Sequence, residues 1–484
     1  MRPPAVALLP VLFAATACLA GYRGSTARVE PRDADSSWAW AYVPDEAQST
    51  YATAVVAEAD GAYMAGTYGG GGAAPRWGGQ RLDSRGDMNF FIARHGADGA
   101  VRWVRRYGDG GWATVAGLAR GPAGSLFIVG TLGPGSDADS AGRWDTGTRT
   151  LVAFRKSAFV ARLDATGSVL WGRFIEGATE VAAVAVDTAG RVYVGGGTGS
   201  PRAQDADHAY LAAFSADGAP LWSRVMTLGT TSEATGVTAT PYGACVVGHV
   251  TASRGSSEGD GGRLGGRGHG FAAGYSHAGK PLWGRALTAL PPSTDAPNNV
   301  LLNGAASDPA GACYAAGGFA GVLHFGPHVL TSARDTSESA SSYGHTDAVV
   351  LKFDRGGRPE WATQGKGGPV SDFADAVAVG PGGRVFAVGT FVGTSRFGAS
   401  TVAVPYSRYG SNPRALFALA LAPDGAVLHA TQNVLEGTMS GTGIAAARDG
   451  SVYVTGMQNG NATFGRIDAP NPGSNAFLAK LSEF

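Results

Sequence analysis

The sequence is short of cysteine, lysine and long apolar runs, and each shortage excludes a class. Three cysteines in 484 residues cannot build the disulfide framework of a small secreted scaffold. Only five of the 38 basic residues are lysine, and 38 basic residues balance 38 acidic ones for a net charge of zero. Neutrality excludes the electrostatic footprint of a nucleic-acid binder and of a polybasic membrane patch. No segment holds a sustained 3.6-residue apolar period, which excludes a largely helical fold. Glycine is the opposite case. The chain has 76 glycines and 25 prolines beside 44% hydrophobic residues, which describes many turns between many short strands around a sizeable core.

The N-terminus has the form of an address. Arg2 precedes an apolar stretch from Ala5 to Ala17 that is too short to span a bilayer as a mature helix and fits a secretory signal. Ala15-Thr16-Ala17-Cys18 is similar to the lipobox of bacterial lipoproteins, with Ala15 where leucine is usual. The resemblance implies a signal peptide over 1–18 and a lipid on Cys18 as the first mature residue. Cleavage after Ala17 or Ala20 without lipid is the alternative. Residues 19–36 are polar and patternless, as a flexible tether would be. The remaining cysteines, Cys245 and Cys313, fall on equivalent strands of neighbouring repeats. With packed sheets about 10 Å apart and a disulfide needing Cα atoms within about 7 Å, the expectation is two buried free thiols.

Residues 37–484 repeat. A segment such as AFVARLDATGSVLWGRF, from Ala158, recurs with a tryptophan twelve positions after its first marker residue: Trp103, Trp171, Trp222, Trp283 and Trp361, with His429 in that slot once. A glycine stands four residues before the slot each time. This reads as strand, glycine turn, strand. A second mark is a short strand ending in Gly66, Gly130, Gly196, Gly248, Gly317, Gly389 and Gly456. Seven marks give seven units of four antiparallel strands, A to D: an Ala/Val run, the strand ending in glycine, the FVARLD strand and the tryptophan strand. A four-stranded sheet cannot bury both faces alone, so seven sheets stacked radially predict an all-β fold, a single closed seven-bladed β-propeller. The last unit, NAFLAKLSEF, lacks a tryptophan strand, and the first is preceded by an unpaired strand around Trp38. That N-terminal strand is expected to complete the last blade and remove its edge.

These units resemble the seven-bladed β-propeller (SBBP-type) repeat of bacterial envelope lipoproteins, whose pattern is a VYVTG strand, an FG dipeptide, a DAFVAKLD strand and G-x-x-x-W. Here the dipeptide stands as Phe325-Gly326, Phe397-Gly398 and Phe464-Gly465, with Trp77-Gly78 as a variant and no clear copy in blades 2 to 4. The resemblance implies an exported envelope protein: outer-membrane or cell-surface, otherwise periplasmic or secreted. FSADGAPLW at Phe214 and LDATGSVLW at Leu163 are similar to the sialidase Asp box and the quinoprotein tryptophan-docking motif, but the spacing of each is off.

Functional expectations follow from loop lengths. From the strand-B glycine to the strand-C marker the interval runs 25, 29, 14, 23, 32, 28 and 21 residues, whereas the A–B and C–D turns hardly change. All variation therefore falls on one face, the end where recognition is expected. Its longest loops are 133–157, 253–270, 327–347 and 402–414, with a long connection at 289–299. The tryptophans, Trp38 included, and the seven glycines are assigned to the frame. No catalytic, cofactor or metal residue is assigned. His324, His328 and His345 with Asp335 and Asp347 could gather as metal ligands but are read as a solvated polar insertion. The pairs Asp137/Asp139 and Asp205/Asp207 could hold calcium but lack the full oxygen set of an EF-type loop. The expected function is non-catalytic, binding or scaffolding for an envelope protein or polysaccharide, as a monomer without cofactor or nucleic acid. The alternative is a hydrolase or lyase acting on envelope glycans, which requires acid and base groups converging on the axial funnel of the variable face.

Overall fold

Alternating small and apolar residues set the strands. Strand B of every unit is buried along nearly its whole length, while strand D is mostly half-buried or exposed, as an outer strand should be. The computed structural model describes residues 37–484 apart from 45–48, 70–73, 137–140, 200–206, 230, 252–267, 291–297, 334–345, 368–369, 406–411, 436, 472 and 483. Cys18, the signal segment and the tether lie outside the described residues.

The chain is all-β and propeller-like. Sheet 1 is built from Thr50–Glu58, Gly61–Gly69, Met88–Gly96 and Val101–Tyr107, in the order A, B, C, D. Sheet 2 holds Trp112–Arg120, Leu126–Gly133, Ser157–Leu163 and Val169–Phe174, and sheet 3 holds Glu180–Val186, Val192–Gly197, Ala209–Phe214 and Pro220–Met226. Sheet 4 contains Thr231–Thr240, Gly243–Thr251, Gly268–Ser276 and Pro281–Leu287. In sheet 5 the strands are Asn299–Ser307, Cys313–Ala320, Asp347–Phe353 and Pro359–Lys366. Those of sheet 6 are Phe373–Val379, Val385–Phe391, Ala415–Leu421 and Val427–Gln432. Sheet 7 joins Thr438–Ala446, Val452–Asn459 and Ser474–Leu481 to the N-terminal strand Trp38–Tyr42. That last pairing is antiparallel, with Trp38 opposite Leu481, Trp40 opposite Lys480 and Tyr42 opposite Leu478. Two 3₁₀ turns, Pro122–Gly124 and Pro381–Gly383, are the only helical elements among the described residues.

The A strands touch one another in succession, and that of sheet 7 touches that of sheet 1. Across this last contact the Thr442 hydroxyl donates to the Ala52 carbonyl at 2.8 Å. Ala52, Met64 and Phe91 of sheet 1 share an apolar cluster with Tyr453, Ala476 and Leu478 of sheet 7.

Every A strand carries a bulge, between Ala52 and Ala54 in sheet 1, Ala234 and Gly236 in sheet 4, Ala374 and Ala376 in sheet 6 and at the matching place elsewhere. Opposite each bulge stands the strand-B glycine. A Cβ at Gly248 would collide with the Glu233 carbonyl oxygen, and one at Gly389 with that of Phe373; the other five meet the same obstacle. Close approach of a bulged backbone, not a turn, is therefore why these positions are glycine.

Cys245 and Cys313 correct the sequence reading. They form a disulfide with Cα atoms 6.2 Å apart, where two free thiols were expected. The mean sheet spacing does not hold here, because the sheets converge on their touching A strands and those strands are lined with small residues. A Cβ on Gly236 would lie 2.8 Å from the Ala305 nitrogen of the next sheet. Thr238, opposite Cys245, hydrogen-bonds at 3.0 Å to Ser307, opposite Cys313, beside the bond.

Candidate functional site

The tryptophan slot comes first, because it separates framework from function. Trp171 lies against the strand C–D turn of the next sheet, its ring 3.0 Å from where a Gly218 Cβ would be. Gly218 has φ +86°, a left-handed conformation that favours glycine. The indole N–H donates to the Ala216 carbonyl at 3.1 Å. Trp222 repeats this with Gly279 and the His277 carbonyl, and Trp361 with Gly425 and the Pro423 carbonyl. Trp103 and Trp283 lie against Gly167 and Gly357 in the same way.

In sheet 7 the slot belongs to Trp40 rather than Trp38. Trp40 packs on Gly99 and donates to the Ala97 carbonyl at 2.9 Å. Trp38 is buried two residues away, edge-on to Phe464 at 4.9 Å with its N–H on Thr431. The pairing register accounts for the choice: a bulge between Trp38 and Trp40 sets Trp38 opposite Leu481 and Trp40 opposite Lys480. The two rings therefore face opposite sides, Trp38 in a cluster with sheet 6 and Trp40 against that of sheet 1.

The FG dipeptides form the turns of small hairpins inserted between strands B and C. These hairpins pin an aromatic ring onto the sheet: Phe397 on Phe417 at 4.8 Å, Phe464 on Phe477 at 5.5 Å, Trp77 on Phe91 at 4.4 Å. Sheet 2, where no copy was legible, has the same device. Its hairpin, Gly142–Asp145 with Thr150–Ala153, sets Trp144 5.0 Å from Phe159. The signal was hidden because Asp145, not glycine, follows the aromatic, and the left-handed turn residue is Gly147.

Charged side chains gather at the variable end. Lys156 precedes strand C of sheet 2, Glu180 opens strand A of sheet 3, Asp207 precedes strand C of sheet 3, and Glu233 is third in strand A of sheet 4. Lys156 pairs with Glu180. Burial pushes the Lys156 ammonium down in pKa, against the pull of Glu233 and Asp207. It pushes the Glu233 carboxyl up, Lys156 opposing and Asp207 assisting. His249, directly opposite Glu233 in the ladder, is lowered by burial. Two residues before Lys156 in the chain, Phe154 is 76% exposed.

A second group stands over sheets 5 and 6 at the same end. Asp347 and Asp372 are 1% and 0% exposed. Asp372 accepts from the Val392 N–H at 3.1 Å. Burial first, then the neighbouring Asp347, lifts its pKa to about 8. Asp375, the bulge residue of sheet 6, accepts from Thr390 at 3.1 Å and Asn303 at 3.3 Å. Burial raises it to about 7 against those hydrogen bonds and Arg414. It keeps a sliver of accessible surface, but atoms crowd it from every side, and the crowding sets its proton affinity.

Among the described residues no three His, Cys, Asp or Glu side chains gather as metal ligands. His328 bonds the Glu360 carbonyl at 2.9 Å. His345, Asp335, Asp137, Asp139 and Asp205 lie outside the described residues, as do stretches of the four long loops. No sequence spacing could have found either charged group, since each is assembled from two or three sheets.

Neither a protein family nor a curated protein matches the sequence. Among solved structures it is similar to Sqt1 from Chaetomium thermophilum (TM-score 0.40, 9% identity, covering 93% of this chain and 99% of that one). It is also similar to a glucose dehydrogenase (0.37, 11%, 92% and 99%) and to a gluconolactonase from Xanthomonas campestris (0.29, 12%, 74% and 90%). At these scores no activity or ligand passes to this chain.

Proposed function

We propose that the protein is a binding module of the bacterial cell envelope: a closed seven-bladed propeller of the SBBP-type lipoprotein family, exported, anchored through Cys18, and recognising a protein or polysaccharide with its variable face. The observation that carries the reading is the exposed Phe154 ring two residues before Lys156, together with the Lys156–Glu180 pair and the half-buried Asp207 and Glu233. Aromatic anchors ringed by polar groups are the common composition of recognition surfaces. The opposite end offers only short, similar turns. The disulfide supports export, since such bonds persist in oxidising compartments. The A-strand contacts around to sheet 1 support closure.

The test is cross-linking in intact cells from photoreactive residues placed at Arg155 and Pro405 on the variable end, and at Ala165 and Arg355 on the turn end. The expected result is adducts from the first pair alone. Equal capture from both ends, or none from the first pair, rejects the reading. Replacing Cys18 by serine is expected to move the protein from the detergent phase to the aqueous phase of a membrane extract.

The glycan hydrolase or lyase reading is favoured by Asp375, whose pKa near 7 suits a general acid at neutral pH. Release of reducing ends from envelope glycan, lost in Asp375→Asn, is the outcome that selects it.

A further inference from the structure

The repeat shows which residues the frame requires, so a departure from it marks a residue released for something else. In sheets 2, 3 and 4 an arginine two residues after the tryptophan reaches the turn glycine of the next sheet. Arg173 donates to the Gly218 carbonyl at 2.5 Å, Arg224 to that of Gly279 at 3.0 Å and Arg285 to that of Gly357 at 2.7 Å. In sheet 5, Thr363 does the same to Gly425 at 2.6 Å. In sheet 1 the matching residue is Arg105, but the Gly167 carbonyl is taken by the Tyr107 hydroxyl at 2.6 Å.

Arg105 is thereby freed. It is exposed, lies over the Trp103 ring at 6.0 Å, and makes no ion pair among the described residues. The other arginines along this strand are held: Arg102 by Asp98 and Arg106 by Asp109, each at 3.0 Å. Arg105 lines two grooves, one on each flank of the strand. The first, about 590 Å³, is bounded by Trp103 and by Gln80, Arg81 and Asp83 of the small hairpin. The second, about 350 Å³, is bounded by Asp145, Thr146 and Ser168 of sheet 2.

We propose that this outer strand of sheet 1 binds an acidic polysaccharide whose carboxylates are spaced along the chain, a uronate polymer, with Arg105 receiving a carboxylate and Trp103 flanking the sugar ring. A guanidinium fork matches a planar carboxylate in geometry. The Gln80, Asp83, Asp145 and Ser168 side chains supply acceptors and donors for hydroxyl groups. Charge complementarity favours this occupant over nucleic acid. The grooves hold Arg81, Arg85, Arg105 and Arg106 against Asp83, Asp109 and Asp145, an excess of one positive charge, which suits sparse carboxylates better than a polymer carrying a charge about every 1.7 Å.

The grooves are lined in part by the strand B–C insertions of sheets 1 and 2 but not by Arg155 or Pro405, where the cross-linkers stand, so this proposal can fail while the cross-linking result stands, and the reverse. The test measures binding of the full mature protein to polygalacturonate, with dextran and duplex DNA as comparisons, at low and high salt. Expected are salt-sensitive retention by polygalacturonate alone and quenching of tryptophan fluorescence. Arg105→Gln is expected to lower affinity on the order of tenfold with the thermal midpoint little changed, because Arg105 meets the frame through the Trp103 ring and not through the Gly167 carbonyl, which Tyr107 takes. Arg224→Gln should do the reverse, lowering the midpoint and leaving affinity alone. Equal affinity in Arg105→Gln, retention by dextran to the same extent, tighter binding of DNA, or no retention by polygalacturonate overturns the proposal.

Discussion

A single hydrogen atom on the α-carbon of Gly248 decides whether sheet 4 can close over its own bulge. Adding a methyl group places it in the Glu233 carbonyl oxygen, and the carbonyl cannot retreat because it belongs to strand A. Gly248→Ala is expected to cost about 3 kcal/mol, the upper part of the range for overpacking, readable as a lower midpoint in a chemical melt. The acidic side chains act at the same scale through pH. Asp375 and Asp372 are raised by burial to about 7 and about 8, above the ordinary aspartate value of about 3.9. The folded state therefore keeps their protons longer than the unfolded state does. Their contribution is fully present below about pH 4 and is lost as pH rises through 7 and 8. Asp375→Asn should melt like the parent near pH 3.5 and at a higher temperature than the parent at pH 9.

At the scale of elements the links between sheets matter more than the ladders within them. Trp171 packs on the Gly218 turn and donates to Ala216, so Trp171→Ala is expected to cost about 3 kcal/mol, checked by denaturant titration. The disulfide closes a loop of 68 residues. By the chain-entropy relation its removal, as Cys245→Ser with Cys313→Ser, should cost about 4 kcal/mol, and thiol titration of the unfolded, unreduced parent should find neither cysteine free. Both links show what a repeat makes legible. The tryptophan and its turn glycine were visible because they recur at fixed spacing. The disulfide was not, because a mean sheet separation says nothing about where sheets converge. Trp40 was missed in favour of Trp38 because the bulge that turns the two rings to opposite faces shows only in the pairing register. The charged groups at the variable end had no signal at all, since Lys156, Asp207 and Glu233 are far apart in sequence and meet only when three sheets come together.

Over the whole molecule the all-β character and the sevenfold repetition were readable from glycine spacing, and so was the sheet that the N-terminal strand joins. That strand has no partner of its own in sequence, and strand C of sheet 7 has no following strand. Deleting residues 37–43 should expose the edge of Ser474–Leu481 together with Phe464 and Phe477, and yield a protein that associates in sizing chromatography where the parent does not.

Pairing the ends in this way also sets a timetable. A polypeptide delivered N-terminus first must leave Trp38–Tyr42 waiting until Ser474–Leu481 emerges, because its ladder partner lies far along the chain. Closing of sheet 7 is then gated by delivery of that strand. Fragments released early cannot seal themselves, and they present a bare ribbon edge to whatever removes unfinished chains.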